Sequence, residues 1–186
     1  MAGLLLHVCC APCAVYPLTV LIEKDPLAEI VLWYYNPNIH PLEEFRRRRD
    51  AVAYLTTQLP FLVHGLPRPP AIDFSPPYNP GRFLAAAAID PSEPGRCRMC
   101  YEIRLDMAAR TAAERGLGAF STTLLYSRRQ RHDLVKEAGF KAAAEHGVEF
   151  FYQDFRQGWQ AGLELSKRLG LYRQKWCGCV YGAASG

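Results

Sequence analysis

Gly3-Leu4-Leu5-Leu6-His7-Val8-Cys9-Cys10-Ala11-Pro12-Cys13 decides how the rest of the chain is read. Residues 3–8 form an apolar run of strand length. Pro12 then suits the first turn of a helix, where its missing N–H costs nothing, and Ala14 to Glu23 continues that helix. Outward from this junction the alternation repeats. Residues 28–35 read as a second strand, rich in β-branched and aromatic residues, closed by the turn chemistry of Asn36-Pro37-Asn38. Pro41 to about Gln58 reads as an amphipathic helix and Phe61-Leu62-Val63 as a short strand. The proline-rich stretch 65–81 reads as a loop and 82–89 as a short helix. Residues 98–115 read as a helix ended by Gly116 and Gly118. Ala119 to Thr123 is a strand, Arg131 to His146 a helix stopped by Gly147, Val148 to Tyr152 a strand, and 158–169 a last helix.

This order predicts an α/β fold: one domain over 1–186, with a mainly parallel sheet flanked by helices. No internal repeat and no linker interrupts it. Sites in such sheets form beyond the C-terminal ends of the strands. Cys9-Cys10, Asn36-Pro37-Asn38, Ser121-Thr122-Thr123 and Gln153-Asp154 all fall at expected strand ends.

With 186 residues, 49% of them hydrophobic, the chain can bury a sizeable core. No apolar run is long enough to span a bilayer. The N-terminus lacks the basic start of a signal peptide, so a cytoplasmic protein without a membrane partner is expected. In that reducing compartment clustered cysteines point to metal or redox chemistry rather than structural disulfides. The net charge of +4 neither requires nor excludes nucleic acid. Its basic residues gather in three groups. Arg46 to Arg49 reads as a solvated helix face, because Glu43 and Glu44 precede Arg47 and Arg48 by four residues. Arg128, Arg129, Arg131 and His132 have no such acidic partners before them and are the better phosphate contacts. Lys167, Arg168, Arg173 and Lys175 form the third.

The seven cysteines fall in three tight groups: Cys9, Cys10 and Cys13; Cys97 and Cys100; Cys177 and Cys179. On a regular strand Cys9 and Cys10 would face opposite ways, so a shared metal requires the strand to have turned. Cys13, in the first helical turn, meets the positive end of the helix dipole, which favours its thiolate. The bland alternative is inert core cysteine. Cys97-x-x-Cys100 serves equally as half a zinc site, a redox pair or two cluster ligands. Added to Cys9 and Cys10 it completes four thiolates. Zinc would leave the other three thiols unused, so iron–sulfur is favoured. A disulfide across Gly178 would close a very small, strained ring, and strained disulfides are the labile ones. The alternative is a free surface pair near the terminus.

Five stretches together resemble one family. They are Leu5 to Cys13, Tyr35-Asn36-Pro37-Asn38-Ile39-His40-Pro41, Arg96 to Tyr101, Ser121-Thr122-Thr123-Leu124, and Leu171 to Cys179. The chain is similar along nearly its whole length to the cobalamin-independent epoxyqueuosine reductases. That resemblance implies the last step of queuosine biosynthesis, in which the epoxide of epoxyqueuosine at the tRNA wobble base is reduced to an alkene. It implies a PP-loop ATPase/HUP-type nucleotide-binding fold, with cysteines where those enzymes carry a phosphate loop. It implies a four-iron, four-sulfur cluster on Cys9, Cys10, Cys97 and Cys100, and a redox-active pair, Cys177 and Cys179, in a segment at 171–181. A further iron would fall to Cys13 or Asp154. No cobalamin is expected. The partners implied are a tRNA anticodon loop and an external electron donor.

Candidate proton donors and positioning groups are His40, Tyr172, Arg173 and Asn38, with Asn36 beside the substrate. His40 has a plain turn-stabilising role as its alternative. A flipped base would stack on an aromatic such as Trp33, Tyr34, Tyr35 or Trp159, the first three reading more as core. The sequence departs from the family at Asn79-Pro80-Gly81-Arg82-Phe83 and at the basic Arg128-Arg129-Gln130-Arg131, neither of which is expected to touch a cysteine. Two rivals remain: an ATP-dependent PP-loop-like tRNA-modifying enzyme, against which stands the missing phosphate loop, and a zinc-stabilised tRNA-binding module, against which stands the terminal Cys-Gly-Cys.

Overall fold

Leu4–His7 forms strand β1, every residue of it buried, as a strand covered on both faces requires. The computed structural model describes residues 3–63, 66 and 69–183. Helix α1 (Ala11–Lys24) follows at once, with proline in its first turn. Then come β2 (Ile30–Trp33), α2 (Leu42–Leu62), β3 (Ala71–Asp73), α3 (Gly81–Ile89) and α4 (Gly95–Glu114). Strand β4 (Ala119–Thr122) runs into a 3₁₀ turn at Thr123–Tyr126. Helix α5 (His132–His146), β5 (Glu149–Phe150), a 3₁₀ turn at Phe155–Gly158, α6 (Trp159–Arg168) and a short α7 (Val180–Ala183) follow among the described residues.

The sheet is parallel throughout, in the order β3-β2-β1-β4-β5. β1 lies at its centre, His7 standing between Trp33 and Thr122. Helix α1 packs on α2 and α6, and α4 packs on α5 and α3, so two helix groups flank the sheet. The chain winds from β1 outward through β2 and β3, then returns to place β4 on the other side of β1. The gap between the C-terminal ends of β1 and β4 is therefore the switch point of the sheet, where such folds open a crevice.

Two glycines expected to stop helices do so: Gly116 and Gly147 follow α4 and α5 at φ +69° and +67°. The expected strand at 61–63 is corrected. α2 continues to Leu62, because Leu59 is buried and keeps the helical stripe in register. The third strand instead lies inside the expected loop 65–81, of which residues 65, 67 and 68 are outside the described residues. β3 is an edge strand of three residues, so Pro69 and Pro70 ahead of it break no ladder. Helix α7 was not expected. Among the described residues no helix is long and apolar enough to cross a membrane.

Candidate metal and redox site

His7 closes β1 and locks three strand ends together. Its Nε2–H donates to the Tyr35 carbonyl at 3.0 Å, which leaves Nδ1 to accept from the Thr122 hydroxyl at 2.8 Å. Burial drives its pKa down to about 3, so the ring is a neutral strut. Past it the strand has ended, and Cys10 stands as the extended residue capping α1. The turn brings Cys9 and Cys10 onto one side, their sulfurs 3.7 Å apart, and Cys13 joins them. All three sulfurs lie within 4.8 Å of one another. Thr123 answers from the end of β4: its hydroxyl accepts from the Cys9 N–H at 3.1 Å and donates to the Cys9 sulfur at 3.3 Å.

Charge distributes unevenly over this triad. Hydrogen bonds from Cys10 and Cys13, with Arg104 nearby, hold the Cys9 thiol well below its usual range. Burial pushes Cys10 up, and Cys13 is pushed up mainly by its bonds to Cys10 and Cys9. The expectation that the helix dipole would make Cys13 the thiolate is therefore corrected. Among these three packed thiols Cys9 is the one lowered, with Thr123 and Arg104 among the causes.

Arg104, on the buried stripe of α4, spans the site. Its Nη2 donates to Asn36 Oδ1 at 2.7 Å, and Asn36 Nδ2 in turn donates to the Val8 carbonyl at 2.9 Å. Its Nη1 points at the Cys100 sulfur, 3.9 Å away. Its Nε is buried without a partner. Asn36 is thus a brace for Arg104 and the β1 turn. Cys97 and Cys100 occupy the first two turns of α4, both with thiols raised chiefly by burial.

The C-terminal segment lies over these groups as a strap fastened by its backbone. Arg48 donates from Nη1 to the Cys177 carbonyl at 3.1 Å and from Nη2 to the Trp176 carbonyl at 3.2 Å. Its guanidinium sits 5.4 Å from the centre of the Trp176 ring. Asn38 Nδ2 also reaches the Cys177 carbonyl, at 3.4 Å, and the His40 N–H donates to the Gly178 carbonyl at 2.9 Å. Arg129 donates to the Lys175 carbonyl at 2.7 Å. Gly178 has φ +100°, and a Cβ there would come within 2.7 Å of Ile39 and 3.1 Å of Arg48, so only glycine fits. Within the strap Cys177 is exposed and Cys179 buried. A hydrogen bond from Cys179 lowers the Cys177 thiol to about 6, and the same bond raises Cys179.

Of Arg46 to Arg49, read as a solvated face, Arg46 and Arg47 are exposed and Arg47 pairs with Glu43, but Arg48 departs from that reading. It is 2% exposed, paired with Glu44 at 2.7 Å, and Glu44 takes the Tyr172 hydroxyl at 2.6 Å. Tyr172 acts through Glu44 and Arg48 on the strap and lines neither cavity described below. Within the second basic group Arg131 pairs with Glu93 at 2.7 Å, Arg129 also serves the strap, and His132 is buried against Tyr152.

Two cavities meet at Cys177. The first, about 190 Å³, is lined by Cys9 and Cys13, with Trp159 and Tyr126 also in its wall. Those two rings stack at 5.2 Å. Arg173 lies on its lining as well. The second, about 110 Å³, holds Cys97, Cys100, Cys177 and Cys179 with Asn38. The Asn38 Oδ1 is buried there without a partner. Arg104 and Cys177 line both. Phe83 packs against Cys100 and Cys179, so the departure at 79–83 does touch cysteines, contrary to expectation. Trp33 and Tyr34 are core, and Tyr35 stacks on Trp33.

Two expected groups lie elsewhere. The His40 ring is exposed and meets the Tyr78 hydroxyl at 3.3 Å. Asp154 caps the turn before α6 and is held by Arg156 at 2.6 Å, lining neither cavity. Thr123 falls where the strand-end reading placed it; residues to which the sequence reading gave no site role are Arg48, Arg104, Gln174 and Trp176. For the two arginines the signal was their spacing on apolar helix stripes.

The family model described as epoxyqueuosine reductase QueH matches residues 4–185. The chain is 36% identical to the epoxyqueuosine reductase QueH of Thermotoga maritima, over 97% of this chain and 90% of that one. It is also 36% identical to the protein of that name from Dehalococcoides mccartyi, over 96% and 91%. To that of Staphylococcus aureus it is 32% identical, over 97% and 75%. With a nearly full-length family match and relatives at this level, the chain belongs to the epoxyqueuosine reductase QueH family.

Proposed function

We propose that the protein reduces the epoxide of epoxyqueuosine, at the wobble position of tRNA, to the alkene of queuosine. The observation that carries this reading is the position of Cys177 on both cavities, beside Cys9 and Cys13 in one and Cys97, Cys100 and Cys179 in the other. A redox pair at that junction serves a metal site and a substrate cavity together. The order β3-β2-β1-β4-β5, with thiols at the β1–α1 turn, supports a PP-loop/HUP-type fold whose phosphate loop has become a cysteine site.

The donor set fits a four-iron, four-sulfur cluster held by Cys9, Cys10, Cys97 and Cys100. Buried Arg104, which interacts electrostatically with both Cys9 and Cys100, offsets the charge of ligand thiolates. A cluster spreads its ligands wider than a single ion does, which suits four thiols divided between two elements. When bound it supplies electron transfer and Lewis acidity. Cys13 remains as a donor for an additional iron; Asp154 is already satisfied by Arg156.

The chain's own residues do the rest. Breaking both C–O bonds and forming C=C takes two electrons and two protons and releases water. The Cys177 thiolate and the Cys179 thiol yield two electrons and one proton on closing to a disulfide, solvent supplies the second proton, and an external donor reopens the disulfide. Cys177 rests as thiolate with Cys179 holding a proton beside it. Trp159 offers a stacking face to the flipped base, while Arg173 and Arg129 face its phosphates. Asn38, on the lining of the cavity that holds the pair, keeps a buried Oδ1 without a partner as a candidate acceptor. Tyr172 positions the strap through Glu44.

Anaerobic purification tests the reading. A brown protein with about four or more irons and matching sulfide is expected. Cys177→Ser and Cys179→Ser should keep the metal and lose turnover on epoxyqueuosine-containing tRNA. A colourless protein carrying one zinc, or loss of the metal in either serine variant, would refute the assignment.

A further inference from the structure

Gln174 is the strap residue that reaches the ligand thiols themselves. Its Nε2 donates to the Cys10 sulfur at 2.7 Å and lies 3.9 Å from the Cys13 sulfur. Its Oε1 is buried without a partner. The backbone on its C-terminal side is pinned, with the Lys175 carbonyl held by Arg129 and the Trp176 and Cys177 carbonyls by Arg48. The amide is thus held in place by the same bonds that hold the redox pair, three residues further on. Its orientation follows from chemistry: a metal-bound thiolate has no proton to give, so only the NH₂ end can face it.

From this geometry we infer that Gln174 is a positioning residue that tunes the metal site: its N–H···S bond to Cys10 raises the reduction potential of the cluster that Cys10 would hold. The inference rests on the cluster assignment made above. An N–H donor drains electron density from a ligand sulfur and stabilises the more negative, reduced state. Docking of the strap therefore does two things at once. It brings Cys177 to the junction of the cavities, and it makes the metal group beneath easier to reduce. A strap that lifts would withdraw the electron source and the donor together.

The test is a redox titration of the purified holoprotein, followed by absorbance and electron paramagnetic resonance. Gln174→Leu, which keeps bulk and removes the donor, should lower the midpoint potential at unchanged iron content. Gln174→Glu, which sets a carboxylate against the thiolates, should lower it further. A second readout uses apoprotein loaded with Co²⁺ on the thiol triad: removing the donor should move the thiolate-to-cobalt charge-transfer band to longer wavelength. Midpoint potentials and cobalt bands unchanged in both variants, with a cluster present in the unmodified protein, would overturn the inference and leave the proposed function standing. No cluster in the unmodified protein would overturn both.

Discussion

Arg48→Met separates what holds the fold from what holds the strap. Arg48 and Glu44 are 2% and 5% exposed and 2.7 Å apart. Removing the guanidinium leaves a buried carboxylate whose remaining partner is the Tyr172 hydroxyl. Stranding one member of a buried pair costs about 3–5 kcal/mol. For a chain of this size that is a fall in Tm of roughly 6–20 °C. The Trp176 carbonyl loses the donor Arg48 gave it, and the Cys177 carbonyl keeps only the longer bond from Asn38 Nδ2. Cys177 is exposed, so water can replace those bonds once the strap shifts. The fold penalty and the strap penalty thus come from different partners. Arg48→Met with Glu44→Leu removes the stranded charge and should recover most of the lost stability, because an apolar pair of similar volume roughly equals a buried ion pair. It cannot restore the strap, so turnover should stay low in the double variant. Urea unfolding of the parent, single and double variants reads the first effect, and single-turnover reduction of substrate tRNA the second. A double variant no more stable than Arg48→Met, or one with full turnover, would refute this division.

Three further outcomes are expected. Gly178→Ala puts a Cβ at φ +100° against Ile39 and Arg48. It should cost about 1–3 kcal/mol of local strain and stop turnover while iron content, measured by inductively coupled plasma, is unchanged. The Cys177 thiol is lowered to about 6 by its bond from Cys179, so its iodoacetamide reaction should rise with pH about a midpoint near 6. Cys179→Ala removes the stabilising donor, and the midpoint should move up toward the ordinary thiol range near ~8.5; a midpoint that stays put shows another cause. Trp159→Ala should lose about 1–3 kcal/mol of base stacking. That corresponds to a KM for substrate tRNA raised roughly 5- to 150-fold with a smaller change in kcat, and the reverse pattern would remove Trp159 from the binding surface.

The legible parts of the sequence were those where local pattern and tertiary demand agree. Leu4-Leu5-Leu6 had to be a buried strand, and Gly116 and Gly147 had to end helices, because no neighbour could change those outcomes. β3 was illegible: three residues behind prolines become a strand only because β2 offers an open edge. The grouping of cysteines was legible in part. Adjacency brought Cys9, Cys10 and Cys13 together, but the hydrogen bonds that lower Cys9 and raise Cys13 are a property of the packed triad. The arginines were misread for a different reason. Arg46 to Arg49 looks uniform as composition, yet Phe45, Arg48, Val52, Leu55 and Leu59 follow each other at steps of three and four and are all buried. Spacing marked Arg48 as inward-facing, and charge alone hid it.

Arg104 carries that lesson to the chemistry of the site. It lies on the stripe of Tyr101, Leu105, Ala108 and Ala112 and is 3% exposed. Among the described residues its hydrogen-bond partners are an amide oxygen and a thiol sulfur, with no carboxylate in contact. Burying an uncompensated guanidinium costs several kcal/mol, which a fold does not retain without an opposing charge. The groups placed to supply one are Cys9 and Cys100. A buried thiol of ordinary affinity for its proton would stay neutral and compensate nothing. Thiolates persist in such a place when a metal holds them, because metal binding expels the proton. Cys9, whose thiol is already held low, supplies part of that charge, and thiolates held by a metal on Cys9 and Cys100 would complete it. Arg104→Leu should accordingly weaken metal retention more than it weakens the fold, which iron content and urea midpoint measured on one preparation would distinguish.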